Sequence, residues 1–421
     1  MTLMTPSRRS FLATTAALTL SWPLRAGAQA AARIVVVGGG YGGASAARVL
    51  NTLGHHVTLI EASAAYTSCP FSNTVLGGFG EMADLTFTHD RLAAEGIDVI
   101  HARAVGVDGA ARQVTLDDGT SLDYDRLVLS HGVDMNFDAI AGYDEAAAEI
   151  MPHAWKAGPQ TALLRAKLDA MEDGGTVAIA VPPNPYRCPP GPYERASLIA
   201  HYLSRAKPRS KVLILDAKDQ FSKRALFEEA WAALYPGMIE WVGQSSGGTV
   251  VRVEPDSMTL VTDFARHRVA VANVIPPQRA GAIAVAAGVV DATGWCPVTP
   301  ESFESTLVAG IHVIGDACFV GAMPKSAFSA NAQAKVTAYA IDAILRGEDP
   351  AEPRLINTCY SLAAPDYAFT VAGVYRPVDG RLADIDGAGG TSPLAAPLQM
   401  RTKEAGYARG WYATITAEAF G

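Results

Sequence analysis

The chain is short of charge and of basic residues. Asp, Glu, Lys and Arg make up 18% of its 421 residues, and the formal net charge is -8. No basic field exists with which to hold a nucleic acid. The N-terminal apolar stretch from Ala13 to Leu24 is shorter than the roughly 20 residues a membrane-spanning helix needs, and Pro23 interrupts it. The five cysteines, Cys69, Cys188, Cys296, Cys318 and Cys359, form neither a C-x-x-C pair nor a C-x-x-C-H run, which excludes c-type haem and finger-type zinc from this chain. His131, His153 and His201 lack metal-ligand spacing and read as polar or core histidines, so no metal is expected. There is no internal repeat and no low-complexity linker. What remains, 49% apolar over this length, is an ordinary globular composition able to fill two or three domain cores.

Residues 1–30 carry Ser7-Arg8-Arg9-Ser10-Phe11-Leu12, then the apolar stretch, then small residues around Ala26-Gly27-Ala28-Gln29-Ala30. This is the pattern of a twin-arginine export signal, with cleavage expected after Ala28 or Ala30 and a periplasmic mature protein without a membrane span. The segment holds Arg8, Arg9 and Arg25 and no acid, so its removal takes the formal charge from -8 to -11. Such an acidic surface serves solubility or steers a basic partner. In an oxidising compartment an odd number of cysteines leaves at least one unpaired or otherwise bonded.

Past that segment, Arg33 to Val37 predicts a strand, Gly42 to Leu53 a helix and Val57 to Ile60 a second strand ending at Glu61, which together make one βαβ unit. Gly38, Gly40 and Gly43 satisfy G-x-G-x-x-G, and Glu61 follows Gly38 at a separation of 23, close to the usual separation of about 20. Gly38 serves the tight turn, Gly40 the approach of backbone to pyrophosphate, and Gly43 the packing of helix on strand. The helix N-terminus offers N–H donors to the anion, and Glu61 accepts from the ribose hydroxyls. This marks the adenosine end of a dinucleotide site, which on its own suits a nicotinamide cofactor as well as FAD.

Strands Thr176 to Val181 and Lys211 to Leu215 predict a second α/β unit, ending at Asp216. Its first strand runs into Pro182-Pro183-Asn184-Pro185-Tyr186-Arg187-Cys188-Pro189-Pro190-Gly191-Pro192. Prolines there remove the N–H donors and the tight turn that a pyrophosphate requires, so NAD(P)H is not expected to bind. From Ala351 onward, strand-like runs such as Tyr367 to Tyr375 alternate with Gly and Pro, predicting a small α+β domain that covers the cofactor or forms an interface. The expected fold is therefore α/β. Residues 31–141 and 279–350 form a discontinuous FAD-binding domain, 142–278 a second dinucleotide-type domain with a degenerate site, and 351–421 the C-terminal domain.

Several stretches then carry a family resemblance: Tyr66-Thr67-Ser68-Cys69 with Ser72-Asn73, Arg187-Cys188-Pro189-Pro190-Gly191-Pro192-Tyr193-Glu194-Arg195, Ile275-Pro276-Pro277-Gln278-Arg279-Ala280-Gly281, Pro324-Lys325-Ser326, and Asn357-Thr358-Cys359-Tyr360. Over essentially the whole mature length the chain resembles the flavoprotein subunit of flavocytochrome c sulfide dehydrogenase. The resemblance implies a fold of glutathione-reductase type, with Val289 to Trp295 and Ile311 to Ala317 as flavoprotein motifs. It also implies an FAD attached through an 8α-S-cysteinyl bond to Cys69, a redox-active disulfide between Cys188 and Cys359, and a c-type cytochrome partner that carries the haem. Asp316 is carried over as a contact to the flavin ribityl and pyrophosphate, and its position also suits a helix N-cap. Lys325 is carried over as the cation facing the N1 and O2 side of the reduced flavin. Trp411 is carried over as an aromatic that packs near the ring or lines the route to haem, with plain core packing as the alternative.

The Cys188–Cys359 pair has two readings. It closes a loop of 171 residues, which in the chain-entropy model stabilises by about 4 to 5 kcal/mol, so a structural staple is one of them. The other is chemical, since hydrosulfide is a soft nucleophile and a disulfide is its electrophile. Glu194 reads either as the base that takes the sulfide proton or as an ion-pair partner of Arg187 or Arg195. Cys296 and Cys318 read as small buried groups, with a further disulfide between them left open. Two alternatives to a cytochrome-linked sulfide dehydrogenase stand beside it: a sulfide:quinone oxidoreductase and a non-catalytic flavoprotein subunit of a sulfur-oxidation complex. The weakly apolar stretch from Ala405 to Gly421 argues against membrane docking, and retention of both Cys188 and Cys359 argues against loss of turnover.

Overall fold

The computed structural model describes residues 31–421; the export signal read over residues 1–30 lies outside the described residues. Strand Arg33–Val37 is apolar and buried along four of its five positions, as a strand covered on both faces should be. It sits in the middle of a five-stranded parallel sheet ordered Ile311–Val313, Arg126–Leu129, Arg33–Val37, His56–Ile60 and Asp98–Ile100. Helix Tyr41–Thr52 leaves the central strand through the glycine turn and packs against helix Ala327–Leu345. A late segment of the chain, Ile311–Val313, thus completes a sheet begun near residue 33.

A second parallel sheet orders Ile239–Val242, Lys211–Asp216, Thr176–Val181 and Val271–Val274. The chain passes from the first sheet to the second and back along two short strands, Val133–Met135 and Gln278–Ala280, which pair antiparallel. Two parallel sheets of this kind, each wound by helices, give the α/β class expected from the sequence.

The C-terminal segment forms an antiparallel sheet from Leu355–Ala364, Tyr367–Val378 and Arg381–Asp384, followed by helix Leu398–Phe420. That helix is anchored at one end by Arg401, which is fully buried. Its guanidinium donates to Glu229 at 2.9 Å and to the Pro393 carbonyl at 2.7 Å. At the other end Phe420 stacks on Tyr66 and Phe87 at 5.2 and 5.0 Å and meets Tyr41 edge-on at 5.3 Å. No helix among the described residues is long and apolar enough to cross a membrane.

Candidate active site

The glycine turn has the geometry that its spacing implies. Gly38 has φ +97°, a left-handed conformation that favours glycine, and a Cβ there would lie 2.5 Å from the Ser130 carbonyl oxygen. A Cβ on Gly43 would lie 1.8 Å from the Gly38 carbonyl oxygen, so helix and turn meet only because that position has no side chain. Glu61 ends its strand with one carboxylate oxygen accepting from Gly39 N–H at 2.7 Å and the other from Ser63 N–H at 3.0 Å.

Above the turn lies a cleft of about 600 Å³ whose walls include Gly38, Gly40, Glu61, Tyr66, Cys69 and Asp316. That is within the usual range of about 300 to 1000 Å³ for ligand pockets. His131 lines the same cleft, and among the described residues neither of its ring nitrogens has a hydrogen-bond partner. A buried polar group left in this way calls for a ligand that can pair with it. Burial pushes the imidazole down to about 4, so it faces the cleft neutral, able to donate from one nitrogen and accept at the other. Glycine turn, acid, helix N-terminus and unpaired imidazole together fit an FAD.

Cys69 belongs to this cleft and also to a second, smaller cavity of about 110 Å³. Arg187, Ser326 and Ala327 are likewise common to both, so the two spaces join at these residues. The second cavity brings together Cys188, Cys359, Glu194 and Trp411 from three separate stretches of sequence. All five cysteines are unbonded thiols in the structure. Cys188 takes the left-handed conformation, φ 56°, with its N–H donating to the Lys325 carbonyl at 2.9 Å. A non-glycine residue held there costs about 1 to 3 kcal/mol, which the packed Pro-rich turn around it sustains. Gly191 makes room for it, since a Cβ there would stand 3.0 Å from Cys188 Sγ and 2.7 Å from the Trp155 ring.

Burial sets the protonation of this cavity. It pushes the Cys188 thiol well up, helped by Cys359 and Glu194 and opposed by Lys223 and Arg187. It raises Cys359 too, against the pull of Lys223. Glu194 is also raised by burial, although Leu362 N–H and Asn73 Nδ2–H donate to its two oxygens at 3.0 and 3.1 Å. Among the described residues Glu194 forms no ion pair. Arg195 is instead committed to Asn73, Asn273 and two backbone carbonyls, and Arg187 lies 3.6 Å from Asp316. The ion-pair alternative for Glu194 therefore gives way to a buried, hydrogen-bonded carboxyl.

The structure also places the remaining candidate residues. Asp316 lines the cofactor cleft but caps no long helix: it lies inside the short turn Gly315–Ala317, and helix Ala327–Leu345 is capped by Ser326, whose hydroxyl accepts from Ser329 N–H at 3.0 Å. Lys325 is not on the cleft wall. Its ammonium donates to the carbonyls of Asp316 and Cys318 at 2.9 and 2.6 Å and lies 3.8 Å from the centre of the Trp295 ring, so two of its three N–H donors are given to backbone. Trp411 does line the sulfur-bearing cavity, and it also stacks on Phe328. Cys296 and Cys318 stand opposite each other in two short parallel strands, both buried, with thiols pushed up to about 12 and about 11.

In the second α/β unit Asp216 is fully buried. Tyr193, Lys218 and Trp241 all donate to its carboxylate, at 2.5, 2.6 and 3.0 Å. Tyr193 stacks on Phe221 at 3.6 Å, so aromatic side chains occupy the space beside this acid.

Lys223 escaped the sequence reading, and His131 was read there only as a polar or core histidine. A lysine at a helix start looks like a solvated charge, and a histidine after a strand carries no motif; only the fold reveals what they face.

Comparison with known proteins agrees with this geometry. Residues 161–276 match the central region of the sulfide dehydrogenase (flavocytochrome c) flavoprotein chain, residues 351–420 match the flavin-binding region of flavocytochrome c sulphide dehydrogenase, and residues 13–155 match pyridine nucleotide-disulphide oxidoreductases. The sulfide dehydrogenase (flavocytochrome c) flavoprotein chain of Chlorobaculum thiosulfatiphilum is 56% identical over 45 residues, which is 10% of this chain and 94% of that sequence. Among solved structures, the sulfide:quinone oxidoreductase of Aquifex aeolicus superposes with a TM-score of 0.70 at 17% identity, covering 92% of each chain. Putidaredoxin reductase in its covalent complex with putidaredoxin gives 0.65 at 17% identity over 89% of this chain and 93% of that one. These two likenesses concern the fold. Together with the cleft, the matches identify an FAD-binding oxidoreductase, and the chain belongs to the family of flavocytochrome c sulfide dehydrogenase flavoprotein chains.

Proposed function

We propose that the protein is a periplasmic sulfide dehydrogenase that oxidises hydrosulfide through a Cys188–Cys359 disulfide and delivers the electrons, by way of FAD attached at Cys69, to a c-type cytochrome subunit. The observation that carries this reading is the shared wall: both cysteines and Glu194 line one cavity, and Cys69 stands where that cavity opens into the cofactor cleft.

The side chains have distinct tasks. Ionised Glu194, held by Asn73 and Leu362 N–H, takes the proton from hydrogen sulfide. The resulting hydrosulfide attacks the disulfide, forming a persulfide on one cysteine and a thiolate on the other. Loss of zero-valent sulfur, two protons and two electrons per sulfide closes the cycle. FAD, when bound, supplies a carrier that accepts a pair and releases electrons singly. Glu61 and the first-turn N–H groups hold its adenosine and pyrophosphate, His131 pairs with a polar group along the cleft, and Trp411 walls the sulfur cavity. The reading assigns no role to NAD(P)H, and it is supported by the hydrogen bonds of Tyr193, Lys218 and Trp241 to Asp216 and by the prolines in place of a glycine turn.

The quinone-acceptor reading draws on a specific surface: Leu394, Leu398, Met400 and Tyr407 are exposed near and along the C-terminal helix. Turnover of sulfide with cytochrome c and with a short-chain quinone decides between them. Preference for the quinone would overturn the cytochrome assignment.

A further inference from the structure

One cation near the sulfur cavity belongs to none of the motifs. Lys223 precedes helix Arg224–Leu234, takes a left-handed backbone of φ 62°, and donates from Nζ to the carbonyl oxygen of Cys359 at 2.8 Å. An ammonium has three N–H donors, so this anchor leaves two for other acceptors. From that anchor its charge favours the thiolate of Cys359 and, to a lesser degree, that of Cys188, and it also acts on Glu194. Arg187, by contrast, acts on Cys188 and is tied to Asp316 and, through a short hydrogen bond, to the Trp155 carbonyl. The two sulfurs of the pair are therefore not equivalent.

We propose that Lys223 fixes the direction in which the Cys188–Cys359 bridge opens: its ammonium receives the departing sulfur of Cys359 as a thiolate, so that hydrosulfide joins Cys188. The inference rests on the reading of this pair as the sulfide-oxidising disulfide. In the step, a sulfur–sulfur bond forms between hydrosulfide and Cys188 Sγ. The Cys188–Cys359 bond breaks, and its electron pair stays on Cys359 Sγ. The proton that hydrogen sulfide lost rests on Glu194. A disulfide sulfur is neutral and gains little from a neighbouring cation, whereas the charge that grows on it during cleavage gains a great deal in a buried site. The contact therefore lowers the barrier more than it stabilises the resting bridge. The thiol of lower pKa also leaves faster. Around Cys359 the groups that titrate or carry charge are Lys223, Glu194, Cys188 and Tyr375, and Lys223 is the cation among them.

The test uses the holoenzyme, reduced anaerobically and alkylated with iodoacetamide over the neutral-to-alkaline range, with each cysteine peptide followed by mass spectrometry. Cys359 should alkylate at lower pH than Cys188. Lys223→Gln should slow Cys359 alkylation by about tenfold at fixed pH, the equivalent of one pKa unit, and Lys223→Arg should restore it. In a second measurement the oxidised holoenzyme receives a pulse of sulfide before alkylation, and the added sulfur should appear on the Cys188 peptide. Sulfur on the Cys359 peptide would reverse the direction and overturn the proposal. So would an unchanged Cys359 titration in Lys223→Gln that retains its flavin spectrum. The wild-type comparison of the two cysteines needs no variant and stands if Lys223→Gln fails to fold. Sulfur on neither peptide, with no bleaching of the flavin, would instead remove the underlying reading of the disulfide, whatever the titration shows.

Discussion

Asn73 donates from Nδ2 to Glu194 Oε2 at 3.1 Å, joining the segment that follows Cys69 to the helix that follows Cys188. The contact bears on when Glu194 can act as a base. Burial raises its pKa and Asn73 lowers it, so the ionised carboxylate is present only above a pH that lies higher than the ordinary carboxylate range. The acid limb of kcat/KM for sulfide should reflect this group, with activity lost as pH falls through it. Asn73→Ala removes a stabilising donor and should move that limb to higher pH; Glu194→Gln should lower kcat/KM by about 100-fold or more. A pH profile measured with cytochrome c as acceptor checks both, and a limb that does not move in Asn73→Ala would separate Glu194 from the proton transfer.

Attachment of the flavin is tested by denaturation. Acid precipitation of the wild type should leave yellow colour on the protein, and Cys69→Ser should release it to the supernatant. Flavin freed from wild type would mean that Cys69 only borders the ring.

The chemical and structural readings of the paired cysteines part cleanly in kinetics. Cys188→Ser and Cys359→Ser should each abolish sulfide-dependent bleaching while FAD stays bound. Retained bleaching, with a lower melting temperature, would assign the pair to stability alone.

Gly43→Ala places a methyl group 1.8 Å from the Gly38 carbonyl oxygen, a clash that only backbone movement relieves. Loss of stability by about 1 to 3 kcal/mol is expected. Thermal melts with and without added FAD should show it, together with weakened cofactor retention, because the turn that would shift is the one that meets the pyrophosphate.

Cys296 and Cys318 should behave differently from the cysteines of the cavity. Their thiols, pushed up to about 12 and about 11 by burial, remain protonated through neutral pH and are closed to solvent. Under native conditions neither should react with iodoacetamide at a pH where Cys359 does, and mass spectrometry of the alkylated peptides reads the order. Because thiolate is the reactive form, raising the pH should bring them in last.

The parts of this molecule legible in sequence are those whose chemistry is local. The strand, glycine turn, helix and acid from Arg33 to Glu61 sit within one short segment, so periodicity and spacing predict them almost to the residue. The C-terminal sheet was legible as strand pattern but not in its use. Nothing in Leu398–Phe420 says that Arg401 would be buried against Glu229 or that Phe420 would reach Tyr66. Cys188 and Cys359 came together through family motifs, not through any periodicity, since a cavity built from distant loops leaves no repeat in sequence. Lys325 is the opposite case: its motif carries a role, and only the path of the backbone shows that two of its N–H groups go to the carbonyls of Asp316 and Cys318.

The cluster in which Phe420 meets Tyr41, Tyr66 and Phe87 also makes the cofactor cleft depend on a helix far along the chain. Tyr41 and Tyr66 line the cleft and Phe420 stands behind them, so loss of that ring would loosen two walls of the cleft without removing any side chain that lines it.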